Sequence, residues 1–378
     1  MTTASQDLDE LCYLTAQSIT SLVTSEHFKL IKKLGEGSYG KVMLAVHKKR
    51  GTPMALKFFP RCSTTLHAFL REYNLSLSFC RHPSLTRAVG IFFSTPVHYV
   101  FAQEAGLYGD LYDVIVSEER VSEECAQRVM SQLSGAVSHL HSLGFVHRDI
   151  KPENVFLCDR VCRWVKLGDF GLARVQGTQV RAVWYNSPFC VPEVEGAKRV
   201  SETEEEEDIW MSVEPSLDTW ALGILIYCLL TGCFPWEEST SKDPSYCKYR
   251  DWFNRTSERE ERARGQNVLR EGEHFEKQSE DIMSLVEKGN SEDAELELPS
   301  HFDDLSSLVL TLLRQLLHPL PWLRPGPDEI LSYLGGSWLL KTEKEEMRRE
   351  WQAQEEEKKL RERRGVEGEK ERLGRRER

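Results

Sequence analysis

Two short stretches of the chain carry side chains suited to phosphate chemistry. The residues from His147 to Asn154 read HRDIKPEN, and the tripeptide DFG begins at Asp169. Phosphoryl transfer asks little covalent chemistry of a protein, but it needs positioned oxygen atoms, magnesium and charge neutralisation. Asp149 would accept or orient the proton of an attacking hydroxyl, and Lys151 would neutralise charge on the phosphoryl group. Asn154 and Asp169 would supply the hard oxygen ligands that Mg²⁺ prefers.

A glycine-rich segment further upstream adds a candidate phosphate-binding element. Gly35, Gly37, Gly40 and Val42 form the pattern GxGxxGxV. The same three glycines also open dinucleotide-binding folds, but here they lie between two strand-like segments rather than between a strand and a helix. A glycine-rich hairpin lets backbone N–H groups approach phosphate without side-chain interference. A simple flexible hairpin is the alternative for this motif taken alone.

A buried cation is expected next to the glycine-rich segment. Lys57 lies among apolar neighbours, including Ala55, on a predicted strand. A lysine in that position buries its stem and needs a partner for its charge. Glu72, on the helical segment that follows, is the predicted partner. Taken alone, a lysine near a strand end is more often solvated.

The elements that must position these residues change character along the chain. Residues 28–59 read as three strands joined by two turns,. A helical segment follows at 64–79, and strand-like sequence then continues to Ala102. The rest is mostly helical, as in 126–143 and 218–231. Antiparallel strands followed by helices indicate an α+β fold rather than alternating strands and helices.

Other segments lie outside this pattern. An amphipathic helix is predicted within residues 1–27, with an apolar face formed by Leu8, Leu11, Thr15, Ile19 and Leu22,. An acidic insertion falls near 199–214, and a charged insertion near 255–298 is predicted to be largely loop. The charged tail, 341–378, is predicted to be either a solvent-exposed helix or disordered.

Composition narrows the classes of function. The chain has 49 basic and 60 acidic residues and a formal net charge of −11, which argues against nucleic-acid binding,. Its ten cysteines form no CxxC pair, as expected for reduced thiols,. The longest apolar run, 220–230, is too short to span a bilayer, and no signal-peptide pattern opens the sequence. The sequence therefore predicts a cytoplasmic protein without a membrane span.

The motifs together resemble the signature of eukaryotic protein kinases. The resemblance covers about residues 28–340. The tripeptide that ends at Glu193 is similar to the Ala-Pro-Glu that closes the activation segment. Asp218 begins a segment that resembles the large buried helix of the C-lobe, whose aspartate supports the catalytic loop. Arg324 lies where the family's late arginine pairs with the closing glutamate.

The resemblance implies a division of the chain into parts. The kinase domain would span 28–340 and would be bilobal. Its N-lobe, 28–104, would hold an antiparallel sheet and one main helix, and its C-lobe, 107–340, would be mostly helical. Residues 1–27 would form an N-terminal extension.

The resemblance also implies ATP and Mg²⁺ as cofactors and assigns roles to residues. The implied catalytic residues are Asp149, Lys151, Lys57 and Glu72. The implied metal ligands are Asn154 and Asp169. The residues implied in nucleotide binding are Leu34, Gly35, Gly37, Gly40, Val42, Ala55, Lys57, Glu104 and Phe156. Gln103 would occupy the position behind the adenine pocket.

Further residues point to a subgroup. Lys151, two positions after Asp149, is the family's serine/threonine mark. The segments TGCFPW, ending at Trp236, and YRDWF, ending at Phe253, resemble the Src-homology-3-domain-binding kinases, the SBK family. The resemblance implies a kinase that moves the γ-phosphate of ATP to serine or threonine hydroxyls of protein substrates. The tail contains no proline, which argues against binding to Src-homology-3 domains.

Departures from the family pattern keep an alternative open. Tyr185 and Asn186 stand where the family usually has Gly-Thr, whose threonine hydrogen-bonds the catalytic aspartate. The alternative is a pseudokinase scaffold that binds nucleotide or partners without efficient transfer. The usual phosphate-acceptor position in the activation segment is Ala182, so we expect activity without that modification. Thr178 is the plausible substitute acceptor.

Substrate choice is indicated by two carboxylates. Asp110 and Glu153 match positions where basophilic kinases meet arginines upstream of the target residue. The resemblance therefore predicts a modest preference for basic residues there. Both carboxylates are also explained as solvated surface charges.

Overall fold

The computed structural model describes residues 3–37, 40–118, 121–182, 185–195, 210–270, 298–342 and 345 of the 378-residue chain. Among those residues, no helix combines the length and the apolar character needed to cross a lipid bilayer.

Two short helices precede the first strand. They are α1 (Thr3–Ala16) and α2 (Thr24–His27). The inner face of α1 differs from the predicted one, because Leu8 and Cys12 are buried whereas Leu11 is 39% exposed. Ile19 and Leu22 lie beyond the end of the helix. The prediction of one apolar stripe through all five positions was therefore wrong, since the chain leaves the helix after Ala16.

A five-stranded antiparallel sheet follows. Its strands are β1 (Phe28–Gly37), β2 (Gly40–His47), β3 (Pro53–Pro60), β4 (Ala88–Ser94) and β5 (His98–Gln103). Their order is β1-β2-β3-β5-β4, and each neighbouring pair is antiparallel. The predicted strands are confirmed. Residues 54–59 of the central strand β3 are all buried, which places Lys57 in the interior.

One main helix packs beside this sheet. It is α3 (Leu66–Ser78), and the Thr65 side chain accepts a hydrogen bond from the Ala68 backbone N–H to cap its first turn,. Phe69 on α3 stacks against the sheet residue Tyr99, with ring centroids 5.2 Å apart. This aromatic packing holds α3 against β5, the strand that pairs with β3 beside Lys57. The predicted helix is confirmed.

The second half of the described chain is mostly helical. Its helices are α4 (Leu111–Glu118), α5 (Glu123–Ser142), α6 (Ser216–Thr231), α7 (Pro244–Arg270) and α8 (Ser307–Leu316). Every residue of α6 from Asp218 to Leu230 is buried, as in a helix at the centre of a lobe. Both α5 and α8 pack against it. An antiparallel sheet followed by a helical lobe confirms the α+β, bilobal prediction.

Short strand pairs lie between the lobes and along the activation segment. They are β6 (Phe145–Val146), β7 (Val155–Leu157), β8 (Val165–Leu167), β9 (Arg174–Val175), β10 (Gln179–Arg181) and β11 (Trp210–Ser212). The pairs are β6–β9, β7–β8 and β10–β11, all antiparallel. Because β6 precedes Asp149 and β8 precedes Asp169, these pairs set the places of both acidic motifs.

The charged insertion differs from its prediction. Helix α7 continues to Arg270, so the expectation of loop was wrong for residues 255–270. The sequence of this segment is rich in charged residues, and such a helix gains support from ion pairs one turn apart, as between Arg262 and Glu258 at 3.5 Å,. Residues 271–297, the acidic block at 199–209 and the tail after 345 lie outside the described residues, and their predictions stay predictions.

Candidate active site

A buried chain of three charges joins both lobes. Lys57 Nζ on β3 donates to Glu72 Oε1 on α3 at 2.6 Å and lies 3.1 Å from Asp169 Oδ1. Lys57 and Glu72 are 6% and 4% exposed. A buried charge of this kind persists only when it is paired. The predicted partners are therefore brought together, and the cation also contacts the predicted metal ligand.

The surroundings set the charges of Lys57 and Asp169, while burial raises the pKa of Glu72 to about 7. Burial acts to lower the pKa of Lys57, but the Glu72 and Asp169 carboxylates outweigh it and raise that pKa above its ordinary value,. Burial acts to raise the pKa of Asp169, but the Lys57 cation outweighs burial and holds that pKa below its ordinary value. Lys57 is therefore a cation and Asp169 an anion at neutral pH.

The segment between β6 and β7 presents Asp149 in a defined orientation. Its Oδ1 accepts a hydrogen bond from Lys151 Nζ at 3.0 Å, and its Oδ2 accepts one from Asn154 Nδ2 at 2.8 Å. Asn154 Nδ2 also donates to the Asp149 carbonyl at 2.7 Å. Because the amide nitrogen of Asn154 faces Asp149, its amide oxygen is turned away from that carboxylate.

Asp218 on α6 supports the backbone of this segment. Its carboxylate accepts from the backbone N–H groups of His147 and Arg148, each at 2.8 Å, and lies 2.8 Å from His141 Nε2. Burial acts to raise the pKa of Asp218, but His141 and these donors hold it below its ordinary value. Arg148 has a φ of 70°, a left-handed conformation that costs a non-glycine residue about 1–3 kcal/mol,. The charged, buried Asp218 offsets that strain.

The DFG segment is held in place by its phenylalanine. Asp169 also has a positive φ, 62°. Phe170 is 1% exposed and packs edge-on against Phe79, which follows α3, with ring centroids 5.1 Å apart. Its ring also lies 5.5 Å from that of His147. Packing of Phe170 under α3 turns Asp169 toward Lys57.

A cavity of about 560 Å³ lies between the lobes and joins these groups. Of the residues implied by the kinase resemblance, those that line it are Leu34, Gly35, Gly40, Val42, Ala55, Lys57, Glu104, Asp149, Lys151, Asn154, Phe156 and Asp169. Gly37 ends β1, and Glu72 contacts the lining residue Lys57. Gln103 also lines the cavity.

Other lining residues were not anticipated. Leu107, Gly109 and Asp113 also border the cavity, as does Gly106. A Cβ at Gly106 would lie 2.9 Å from that of Phe156, so glycine there makes room for the cavity floor. Gly106 and Gly109, between β5 and α4, are the sequence feature that could have identified these lining residues. A linker between a sheet and a helical half often borders a cleft.

Gly40 shows why the glycine-rich hairpin needs its third glycine. Its φ is 136°, and a Cβ built there would collide with the carbonyl oxygen of Phe58 on the neighbouring strand β3. No other residue type fits that approach. Glycine at position 40 therefore allows β2 to begin in close contact with the backbone of β3.

The carboxylate of Glu104 is paired within the protein. Its Oε1 accepts from the Arg87 backbone N–H at 2.9 Å and lies 3.0 Å from Lys166 Nζ. The residue lines the cavity, but its carboxylate is already paired. We therefore expect its backbone, rather than its carboxylate, to face a nucleotide base.

The late ion pair implied by the resemblance is present. Arg324 Nη1 and Nη2 donate to the two carboxylate oxygens of Glu193 at 2.9 and 2.8 Å. The Arg324 side chain is fully buried, and its guanidinium lies 4.7 Å from the Trp220 ring centroid on α6. The end of the activation segment is thereby attached to the centre of the C-lobe.

Comparison with known proteins agrees with this geometry. The protein kinase domain family matches residues 28–334. The chain is 42% identical to serine/threonine-protein kinase SBK1 of Danio rerio, over 66% of this chain and 62% of that protein. It is 34% identical to serine/threonine-protein kinase SBK2 of Rattus norvegicus, over 89% of this chain and 81% of that protein. The first match therefore spans somewhat less than two thirds of the relative's length. The chain belongs to the protein kinase family and, within it, to the SBK group of serine/threonine-protein kinases.

Proposed function

We propose that this chain transfers the γ-phosphate of ATP to serine and threonine hydroxyls of protein substrates. The observation that supports it best is the continuous contact from Glu72 through Lys57 to Asp169 in the same cavity as Asp149 and Asn154. Phosphoryl transfer depends on positioning and charge stabilisation, and a pre-formed set of this kind supplies both.

Each side chain has a role in this proposal. Asp149 accepts or orients the proton of the substrate hydroxyl. Burial acts to lower the pKa of Lys151, but the Asp149 carboxylate outweighs it and raises that pKa, so Lys151 stays charged beside the transferred group. Asn154 and Asp169 offer amide and carboxylate oxygens for Mg²⁺. When bound, the metal neutralises charge on the phosphate oxygens.

The pseudokinase scaffold remains the second candidate because of Tyr185 and Asn186. Among the described residues, the Asp149 carboxylate accepts from Lys151 and Asn154, and not from Asn186. The support that a threonine at Asn186 would give is therefore supplied from within the catalytic segment. The transfer proposal does not need the usual Gly-Thr pair.

The activation segment has backbone support in place of a phosphate. Beyond the β10–β11 pair, Gly177 N–H donates to the Val213 carbonyl at 2.8 Å, and Val213 N–H donates to the Thr178 carbonyl at 2.9 Å. Two arginine side chains donate to backbone carbonyls of the activation segment. Arg148 donates to the Leu172 carbonyl at 3.1 Å, and Arg71 donates to the Ala173 carbonyl at 2.6 Å. We propose that residues 177–182 keep this arrangement without phosphorylation.

Removal of phosphate should therefore leave activity unchanged. We expect wild-type protein treated with phosphatase, and Thr178→Ala, to phosphorylate a peptide at the rate of the untreated protein, because backbone pairing with β11 replaces the phosphate–arginine contact. Peptide assays paired with mass spectrometry of the Thr178 peptide measure this. Activity that disappears with dephosphorylation and returns on modification of Thr178 would refute the proposal.

Carboxylates at the mouth of the cavity support a preference for basic substrates. Asp110, Asp113 and Glu153 all line it. Burial raises the pKa of Asp110, and the charges of Asp113 and Glu153 add to that rise. An arginine or lysine of the substrate would relieve this repulsion.

Glu153→Gln should therefore weaken the use of basic peptides selectively. We expect kcat/KM for peptides with upstream arginine to fall about two- to fivefold, the scale of a partly exposed ion pair. Peptides with alanine at those positions serve as the matched control and should be unaffected. A positional peptide library measures both, and a library without enrichment of arginine or lysine upstream would end the proposal.

Location and partners are proposed on chemical grounds. No two cysteines of the described residues are joined in a disulfide, which suits a reducing, cytoplasmic environment. The proline-rich stretch around Pro321–Leu323 is a 3₁₀-helix rather than the extended helix that Src-homology-3 domains bind,. This supports the inference that these prolines serve as turns.

A further inference from the structure

Helix α3 carries catalytic and structural residues on different sides. Glu72 faces Lys57, whereas Asn74 lies two positions further, roughly 200° around the helix axis,. Asn74 is only 1% exposed. A buried amide needs hydrogen-bond partners, and the partners of this one come from outside the sheet.

Both polar atoms of the Asn74 side chain are met by α1. Its Nδ2 donates to Cys12 Sγ at 3.5 Å, and its Oδ1 lies 3.1 Å from the Thr15 hydroxyl. Leu8 and Cys12 on the same side of α1 are buried in the core that includes Tyr73 of α3. The N-terminal helix is thus attached to α3 by apolar burial and by a matched amide.

A second set of contacts involves the turn of α3 that contains Glu72. Asp9 Oδ1 lies 3.2 Å from His67 Nε2. Asp9 and Cys12 also lie within electrostatic range of Arg71. Arg71 Nη2 in turn donates to the carbonyl of Ala173, just after the DFG segment. The charge of Asp9 on α1 therefore acts on the residue next to Glu72, and that residue contacts the start of the activation segment.

We propose that α1 positions α3 for catalysis, with Leu8, Thr15 and Asn74 as positioning residues that keep Glu72 within reach of Lys57. This inference rests on the proposed kinase activity. Without α1, α3 would expose Asn74 and an apolar strip to water and would lose the contacts that hold it from the side away from the sheet. The Lys57–Glu72 contact spans two elements, so a small shift of α3 lengthens it directly.

The test uses the full chain and places a charge on each side of α1. Leu8→Lys removes the inner contact, and Leu14→Lys, at a position that is 53% exposed, is the matched control. For Leu8→Lys we expect kcat for a peptide to fall at least about tenfold, as mispositioning of catalytic groups does. We expect the control to match wild type in both rate and thermal midpoint.

Coupling to Glu72 separates positioning from general stability. In a Glu72→Gln background, Leu8→Lys should reduce kcat no further, because α3 no longer carries the carboxylate to be positioned. Effects that multiply in the double variant would overturn the proposal. If Leu8→Lys fails to fold, Thr15→Val replaces it in the same cycle, and Thr15→Ser should restore the wild-type rate.

Hydrogen exchange gives a readout that does not need activity. Leu8→Lys should accelerate amide exchange in α3 and leave α5 unchanged, whereas Leu14→Lys should alter neither. Exchange in α3 at the wild-type rate would contradict the inference even in an active enzyme. A protein that shows the predicted exchange pattern but transfers no phosphate would refute the proposed function and not the contact between α1 and α3.

Discussion

Asp149→Asn should reduce phosphate transfer by about a thousandfold or more, within the range for loss of a general base. The asparagine keeps the size of the side chain, and Lys151 and Asn154 remain beside it. It cannot accept or orient the substrate proton as a carboxylate does. Binding of Mg²⁺ and ATP should persist, because Lys57 and Asp169 are untouched. Steady-state peptide phosphorylation and nucleotide titration measure the two effects separately.

The control for this change is an aspartate outside the cavity. Asp251→Asn on α7 alters a side chain that is 57% exposed and should leave kcat unchanged. An Asp149→Asn protein that retained a tenth or more of the wild-type rate would remove Asp149 from the mechanism.

Arg324→Met should lower the free energy of unfolding by about 2–4 kcal/mol, as expected when one partner of a largely buried ion pair is removed. Besides its two bonds to Glu193, Arg324 donates to the carbonyls of His318 at 2.8 Å and Ser216 at 3.2 Å. All these acceptors lose a donor at once. Because the Glu193 side chain is 19% exposed, water replaces part of the lost contact, which keeps the expected loss below that of a fully buried pair.

Denaturant unfolding followed by fluorescence measures this loss. Arg262→Met is the matched control, because its ion pair with Glu258 joins side chains that are 79% and 64% exposed. Exposed pairs contribute about 0–1 kcal/mol. Equal midpoints for the two variants would show that the Arg324–Glu193 pair does not hold the activation segment to the C-lobe.

The parts of the site that were predictable lie in contiguous motifs. Asp149, Lys151 and Asn154 sit within six residues, so their mutual contacts follow from local chain geometry. Lys57 was recognisable because a cation in a wholly apolar strand needs a partner. The match to Glu72 required only that the next helix pack on the same sheet.

Other features depend on contacts that a local pattern does not contain. Residues of β10 pair with β11 across a long interval of sequence, and no periodicity in either strand indicates the partner. The inner face of α1 includes Cys12 rather than Leu11 because the surface of α3 decides which residues are covered. Helix α7 extends through charged sequence since Arg314 of α8 pairs with Glu260 on it at 2.7 Å. The spacing of hydrophobic residues predicts none of these three contacts.

Transfer of labelled γ-phosphate from magnesium-ATP to a serine- and threonine-containing peptide library, by purified full-length protein beside Asp149→Asn, tests the central claim most directly. We predict phosphoserine and phosphothreonine in the wild-type products and a loss of about a thousandfold or more in the variant. If wild type and variant bind nucleotide equally and neither transfers phosphate, the kinase proposal is contradicted and the scaffold takes its place, with Tyr185 and Asn186 as the first residues to replace.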